Sequence, residues 1–284
     1  MLEYEQIIII GRSELASKCA LISAREYPSI KTVFYNVREE RQSIEVLQQE
    51  NLVYRCAGKE EVMRDLLEMD KKTMVFSIMN TYLFPQEVIE NPALCIINLH
   101  HALLPKHPGR NAEVWALFEG DDVTGITWHM IVEKVDAGEI ISQQPVKITE
   151  HMTSLSLFRA LNRASADSFF DILKLAAENS VIKTYPQPTG EHDELRFAKE
   201  KPNNGMLCLD WNIEKMYRFV RAMDYGVLKI MGDPTVLVNG KTYTWKKYQL
   251  VDSGVSMGID ISLNEISISK DGKTLRLINI REIA

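Results

Sequence analysis

The chain has 284 residues, 45% hydrophobic and 25% charged, with 33 basic against 39 acidic residues and a formal net charge of -6. That balance is ordinary for a globular protein with a substantial core, and it argues against a large polyanion such as tRNA or DNA, which demands a basic patch. No apolar run approaches the ~20 residues needed to cross a bilayer, and MLEYEQ lacks the positive flank of a signal peptide, so a cytoplasmic protein is expected. Cys19, Cys56, Cys95 and Cys208 are scattered without a CxxC pair, which predicts free thiols rather than a zinc site or a disulfide framework.

In chain order, QIIIIG (6–11) reads as a strand buried on both faces, then a glycine turn, then a helix over SELASKCALISAREYP. TVFYNV is a second strand, SIEVLQQEN (43–51) a helix, LVYRC a strand and KEEVMRDLLEM an amphipathic helix. TMVFSIM is the next strand, LFPQEVIEN a short helix with proline near its start, and CIINLH (95–100) a further strand. Strands alternating with helices predict an α/β fold: a Rossmann-like, mostly parallel sheet flanked by helices. Gly11 stands alone in GRSELA, so the glycines that bring backbone close to a pyrophosphate are missing, and a nicotinamide-dependent oxidoreductase is disfavoured.

GITWHMIVEKVDAGEIISQQPVKI (125–148) predicts a hairpin turning at Asp136-Ala137-Gly138, and SLSLFRALNRASADSFFDILKLAAEN a long helix. YPQPTGEHDELRFAKEKPNNG, rich in proline, glycine and charge, is the best linker candidate. Beyond it, IEKMYRFVRAMD is helical, and the remainder alternates as short strands around Asn239-Gly240 and Asp271-Gly272. The expected organisation is a catalytic domain over 1–185, a linker over 186–205 and a small α+β domain over 206–284, a short-stranded sheet or barrel. There are no internal repeats.

The chemistry concentrates in CIINLHHALLPKHPGRN (95–111). Side chains alternate along a strand, so Asn98 and His100 share one face, while Leu99 and His101 share the other. Ligands of open α/β sheets bind beyond the carboxyl ends of strands, where Asn98 and His100 fall. Pro105 and Pro108 stiffen the following loop, and Gly109 permits a turn. Each residue also has a plainer reading. A lone strand-end histidine is usually a satisfied polar group, Asn98 could bond its own backbone, and Lys106, His107 and Arg110 could form a solvated loop tip. Asp136 with Gly138 could simply turn the chain. Residue types alone leave these readings open.

INLHHALLPKHPGRNAEVWALFEGDDVTGITWHMIVEKVDAGEII resembles the catalytic segment of the N10-formyltetrahydrofolate-dependent formyltransferases, which include methionyl-tRNA formyltransferase, glycinamide ribonucleotide transformylase and sugar-nucleotide N-formyltransferases. The family pattern, Asn-x-His-x-x-x-Leu-Pro, then Gly, then Asp-x-Gly, falls on Asn98, His100, Leu104, Pro105, Gly109, Asp136 and Gly138. The resemblance is weaker over residues 1–75 and returns in LCLDWNIEKMYRFVRAMD, similar to the start of the C-terminal module of methionyl-tRNA formyltransferase. It implies Asn98, His100 and Asp136 as catalytic residues and N10-formyltetrahydrofolate as co-substrate, with no metal. Tyr82, Leu83, Val135 and Asp136 would meet the folate, and His129, which matches a histidine of the purine-pathway members, would be a support or a strand residue.

A basic insertion typical of the tRNA enzymes is missing from YNVREERQSIEVLQQEN, the chain departs after RAMD from that branch's usual turn, and the purine enzymes lack a C-terminal domain. GRNAEVWALFEGDDVTGITWHM is most similar to sugar-nucleotide formyltransferases and to the formylation domains of peptide synthetases. The resemblance therefore implies a nucleotide-linked amino-deoxysugar as substrate, with Lys106, His107, Arg110, Asn111 and Trp115 on the substrate side; it leaves the oligomeric state open, a homodimer being common in the sugar-modifying branch. Methionyl-tRNA and a carrier-bound amino acid are the alternatives. A catalytically idle folate- or nucleotide-binding module is a different class of reading, opposed by the intact Asn98, His100 and Asp136.

Overall fold

In the computed structural model, residues 4–37, 52–178, 182–188, 194–254 and 257–283 are described. The helix expected over 43–51 lies outside them. The described residues divide into two compact units, each drawn from separate stretches of chain. One takes Met1–Pro108, Gly125–Val146 and Ala160–Glu194; the other takes Gly109–Thr124, Lys147–Arg159 and Leu195–Ala284.

The first unit is built on a seven-stranded sheet. Its strands are β1 (Gln6–Gly11), β2 (Lys31–Asn36), β3 (Leu52–Cys56), β4 (Thr73–Ile78), β5 (Leu94–His100), β6 (Val123–Met130) and β7 (Ile140–Lys147). Their spatial order is β3-β2-β1-β4-β5-β6-β7. The strands from β3 to β5 run parallel, and β6 runs antiparallel to β5. Ile7, Ile8, Ile9 and Ile10 are each 0% exposed, as the four-isoleucine run requires when helices cover both faces. Each such side chain contributes about 1.5–3 kcal/mol on burial.

Helix α1 (Glu14–Glu26) starts at Ser13, whose hydroxyl accepts from the Ala16 N–H, with Glu14 in its first turn and Arg25 in its last, both favourable to the helix dipole. It buries Leu15, Ala16, Cys19, Ala20 and Ala24. Helix α2 (Lys59–Leu67) buries Val62, Met63 and Leu66 in the same hydrophobic cluster as Ile8, Ile10, Val33 and Val75. Helix α3 (Gln86–Ile89) is the short helix behind Pro85. The sheet order reverses between β1 and β4, so the carboxyl ends of β4 and β5 face the edge where ligands of such folds bind.

The second unit contains α4 (Ala112–Glu119) and α6 (Ile213–Ala222). An aromatic cluster of Trp115, Phe118, Trp211 and Phe219 joins them, with ring centroids 5.5–6.4 Å apart. Of helix α5 (Ser154–Glu178), the residues up to Arg159 are assigned to the second unit and those from Ala160 to the first. Two four-stranded sheets complete the second unit. One orders β15 (Arg281–Ile283), β10 (Lys241–Thr244), β9 (Thr235–Val238) and β8 (Met206–Leu207); the other orders β11 (Lys247–Asp252), β14 (Lys273–Ile278), β13 (Glu265–Lys270) and β12 (Met257–Ile261). The Asn-Gly and Asp-Gly dipeptides make two-residue hairpin turns, with φ of 50° and 74° at Asn239 and Gly240 and of 53° and 75° at Asp271 and Gly272. The fold class is that expected from the sequence: a mostly parallel sheet with helices, followed by small short-stranded sheets, which are antiparallel apart from the parallel pair of β8 and β9. Among the described residues no helix is long and apolar enough to cross a membrane.

Candidate active site

The register of β5 against its neighbours assembles the site. Ser77 of β4 lies beside Asn98, and β6 pairs Asn98 with His129 and His100 with Thr127. Alternation then puts Asn98, His100, Thr127 and His129 on one face and Leu99, His101 and Trp128 on the other. The connection between β6 and β7 brings Asp136 to the first face. Its carboxylate, only 9% exposed, sets Oδ2 3.4 Å from His100 Nδ1 and Oδ1 3.5 Å from His129 Nε2. Asn98 Nδ2 is 3.0 Å from the same His129 Nε2.

The tautomers follow from the partners. A backbone carbonyl only accepts, so His100 donates Nε2–H to the His107 carbonyl at 2.9 Å, and His129 donates Nδ1–H to the Met130 carbonyl at 2.9 Å. In its neutral form His129 thus offers Nε2 as an acceptor, which the Asn98 amide fills. His100 offers Nδ1 as its lone pair. Burial holds the His100 imidazole below its ordinary range, opposed by the Asp136 charge and the bond to the His107 carbonyl. At neutral pH the ring at rest is therefore an uncharged base, and a proton arriving at Nδ1 lands beside a carboxylate.

The loop after β5 is pinned rather than loose. Thr127 Oγ1 donates to the Ala102 carbonyl at 2.6 Å and accepts from the Leu104 N–H at 3.1 Å. Gln143 Nε2 reaches the Leu104 carbonyl and Thr127 Oγ1, each at 2.9 Å. His107 takes a positive φ of 50°, which turns its carbonyl to His100. On the opposite face His101 is buried beside α5, its Nε2 3.3 Å from Ser165 Oγ.

Other sequence-predicted residues fall as follows. Tyr82 is half-buried, its hydroxyl donating to the Ala57 carbonyl at 3.3 Å, and Leu83 is 62% exposed. They sit on the segment beyond β4, where Asn80 accepts from the Tyr82 N–H and donates to the Tyr82 carbonyl and to Ser77 Oγ. That bracing presents an apolar Leu83 at the carboxyl edge of the strand paired with β5. Val135 is half-buried next to Asp136. Lys106 is exposed, and the His107 side chain is buried, not at a solvated loop tip.

Arg110, Asn111 and Trp115 belong to the second unit. The Arg110 N–H bonds the Arg196 carbonyl at 2.9 Å, Asn111 Nδ2 reaches the Ala198 carbonyl at 3.4 Å, and Trp115, buried, lies under the Arg196 guanidinium at 4.1 Å from the ring centroid. Within this unit Glu113 is buried in the first turn of α4 with the Tyr225 hydroxyl on its carboxyl group, and burial pushes that carboxyl above its usual range.

A model of the formyl transferase family matches residues 24–173 of the chain. The chain belongs to the formyl transferase family. Among curated relatives, the bifunctional polymyxin resistance protein ArnA of Wigglesworthia glossinidia brevipalpis is 28% identical over 220 residues, 76% of this chain but 32% of that protein. The chain thus spans about a third of the length of that relative. Among solved structures, an N-formyltransferase from Helicobacter canadensis in complex with folinic acid and dTDP-3-aminofucose has a TM-score of 0.78 at 14% identity, covering 99% of this chain and 100% of that one. WlaRD, a sugar 3N-formyl transferase seen with dTDP and 5-N-formyl-THF, has a TM-score of 0.74 at 16% identity, covering 97% of each chain. At these identities the two structures establish a shared fold.

For a formyl transferase the residue types make chemical sense: an amide donor, a neutral buried base and a carboxylate converge on one strand edge. Three contributors carry no sequence signal of their own. The His107 carbonyl acts through backbone, and Thr127 and Gln143 act on a loop distant in sequence. His129 is the exception, because strand alternation puts it on the face of Thr127.

Proposed function

We propose that the chain transfers the formyl group of N10-formyltetrahydrofolate to the primary amine of a nucleotide-linked amino-deoxysugar. The observation that carries this reading is the convergence of Asn98, His100, His129 and Asp136 at the carboxyl end of β5, within the stretch that the family model matches. The sugar substrate is supported by the aminosugar-bound Helicobacter canadensis enzyme and by WlaRD, whose folds the chain shares.

N10-formyltetrahydrofolate, when bound, supplies an activated formyl carbon. Leu83, Tyr82 and the backbone at Val135 and Asp136 are the residues offered to hold it, and the exposed apolar Leu83 suits the flat ring of a folate. Asn98 has two amide hydrogens. One goes to His129 Nε2 at rest, and the other is free in valence to meet the oxyanion that develops on the formyl oxygen. His100 Nδ1 accepts the proton that the attacking amine sheds, and Asp136 stabilises the resulting imidazolium. The proton then passes to the departing nitrogen, so the ring ends neutral and the balance closes without a covalent enzyme intermediate. Of the residues expected on the substrate side, Lys106, exposed on the proline loop, and Arg110 are the candidate cations for the nucleotide phosphates, whereas Asn111 offers an uncharged amide and Trp115 is buried.

The test is a transfer assay with N10-formyltetrahydrofolate and a panel of nucleotide-linked 3- and 4-amino-deoxysugars, read by mass spectrometry. A formylated nucleotide sugar is expected. A panel left unformylated alongside formylated methionyl-tRNA would overturn the substrate assignment.

A further inference from the structure

The turn that carries Asp136 is held from a stretch far along the chain. Asp136 itself takes a left-handed φ of 53°, which a non-glycine residue adopts at a cost of order 1 kcal/mol unless its surroundings hold it there. Gly138 approaches so closely that a Cβ there would lie 1.7 Å from the Met130 carbonyl oxygen. Against this turn lies segment 182–188. Tyr185 and Ile140 exchange both backbone N–H···O bonds, at 2.8 and 2.9 Å, and the Thr184 hydroxyl donates to the Glu139 carboxylate. From that strap Gln187 Nε2 reaches the carbonyls of Asp136 at 2.6 Å and of Gly138 at 2.9 Å. Both hydrogens of its amide are committed to the two carbonyls flanking Ala137.

We propose that Gln187 is a positioning residue: its side-chain amide locks the Asp136–Gly138 turn so that the Asp136 carboxylate stays between His100 Nδ1 and His129 Nε2. Within the turn the Ala137 N–H bonds the Lys134 carbonyl at a long 3.2 Å. Removing the amide frees two carbonyls to seek water and lets the left-handed residue relax, and the carboxylate moves with it. A displacement of order 1 Å at such a group can cost up to about 10²-fold in rate. The assignment rests on the formyl-transfer reading for its kinetic consequence, whereas its structural consequence can be read without any substrate.

The deciding variant is Gln187→Met, which keeps the side-chain length and removes both donors. His100 is faced by Asp136, by His107 on the loop and by His129 from β6. Of these, Asp136 alone rides on the turn, and its field raises the His100 pKa. Lys183, Tyr185 and Glu139, on and opposite the strap, are unchanged by the substitution. Site-resolved NMR titration of the His100 imidazole should therefore move to lower pH in Gln187→Met, in the direction that Asp136→Asn moves it. Gln187→Asn, which keeps the donors on a shorter arm, should fall between Gln187→Met and the parent.

In transfer assays Gln187→Met should lower kcat by about 10- to 10²-fold while KM for the amine stays put. A His100 titration that superimposes on the parent, with only the melting temperature lowered, would reduce Gln187 to a packing role and overturn the proposal. If the parent protein formylates nothing, the functional reading fails, and the titration still decides the role of Gln187.

Discussion

At the carboxyl end of β5 two adjacent histidines, His100 as its last residue and His101 just beyond, turn to opposite faces of the sheet and meet different surroundings. On one face His100 has a base nitrogen turned to a carboxylate and a hydrogen-bonded amide chain beside it. On the other, His101 is enclosed, its Nε2 facing Ser165 Oγ, which itself donates to the Leu161 carbonyl. Trp128, two residues along in the same layer, donates its indole N–H to Ser168. Both rings are buried and both are pushed below their ordinary range by burial, His101 to about 3. His100 has the Asp136 carboxylate to receive a charge when it forms, whereas His101 faces the Ser165 hydroxyl. Burial alone therefore makes a silent histidine; burial plus Asp136 makes a base that can hold a proton transiently.

Breaking the site face should have the largest effect. Asn98→Ala removes the donor proposed to meet the developing oxyanion and should cut kcat by about 10²–10³-fold. Asp136→Ala should cut it by at least as much, since the His100 imidazolium loses its counter-charge. Steady-state kinetics with circular dichroism to confirm the fold would check both.

The other face should answer in stability rather than rate. His101→Asn should cost about 1–3 kcal/mol at neutral pH, because the ring volume is lost and Ser165 Oγ loses one of its two contacts. The sign with pH is fixed by linkage. The unfolded His101 takes up a proton below its ordinary 6.5 and the folded one only near 3, so stability is present above 6.5 and is lost as pH falls toward 3. The variant lacks that dependence, so denaturant melts should show its deficit narrowing on acidification while kcat at neutral pH is retained.

A smaller effect tests the resting charge of His100. In the proposed mechanism His100 is the base, so the rate should fall with decreasing pH through a midpoint below the ordinary histidine value of 6.5. Asp136→Asn, measured on its residual activity, should shift that midpoint lower still. A midpoint above neutral pH in the parent would mean that the ring is charged at rest.

Much of this was legible in the sequence. The four-isoleucine run, the strand–helix alternation and the Asn-Gly and Asp-Gly turns announce the two kinds of sheet, because buried parallel strands and tight hairpins have strong local signatures. The pairing of Asn98 with His100, and the exile of His101, follow from alternation alone. Nothing in the pattern announces α4. Ala112 to Leu117 are all buried, so the helix shows no polar stripe, and it begins at Asn111 without a side-chain cap. Gln187 was hidden for a related reason: PQPTGEHDELRFAKEK is rich in turn formers and charge, which reads as linker, yet one glutamine within it closes on a turn 51 residues earlier. The His107 carbonyl has no residue signature, since any amino acid supplies one.

The most direct measurement is the single-turnover rate of formyl transfer by folded His100→Ala set beside folded His101→Asn, with N10-formyltetrahydrofolate saturating. The two-face account predicts a loss of about 10²–10⁴-fold for the first and a rate close to the parent for the second. A near-parental rate in His100→Ala, or an equal collapse in both, would contradict it.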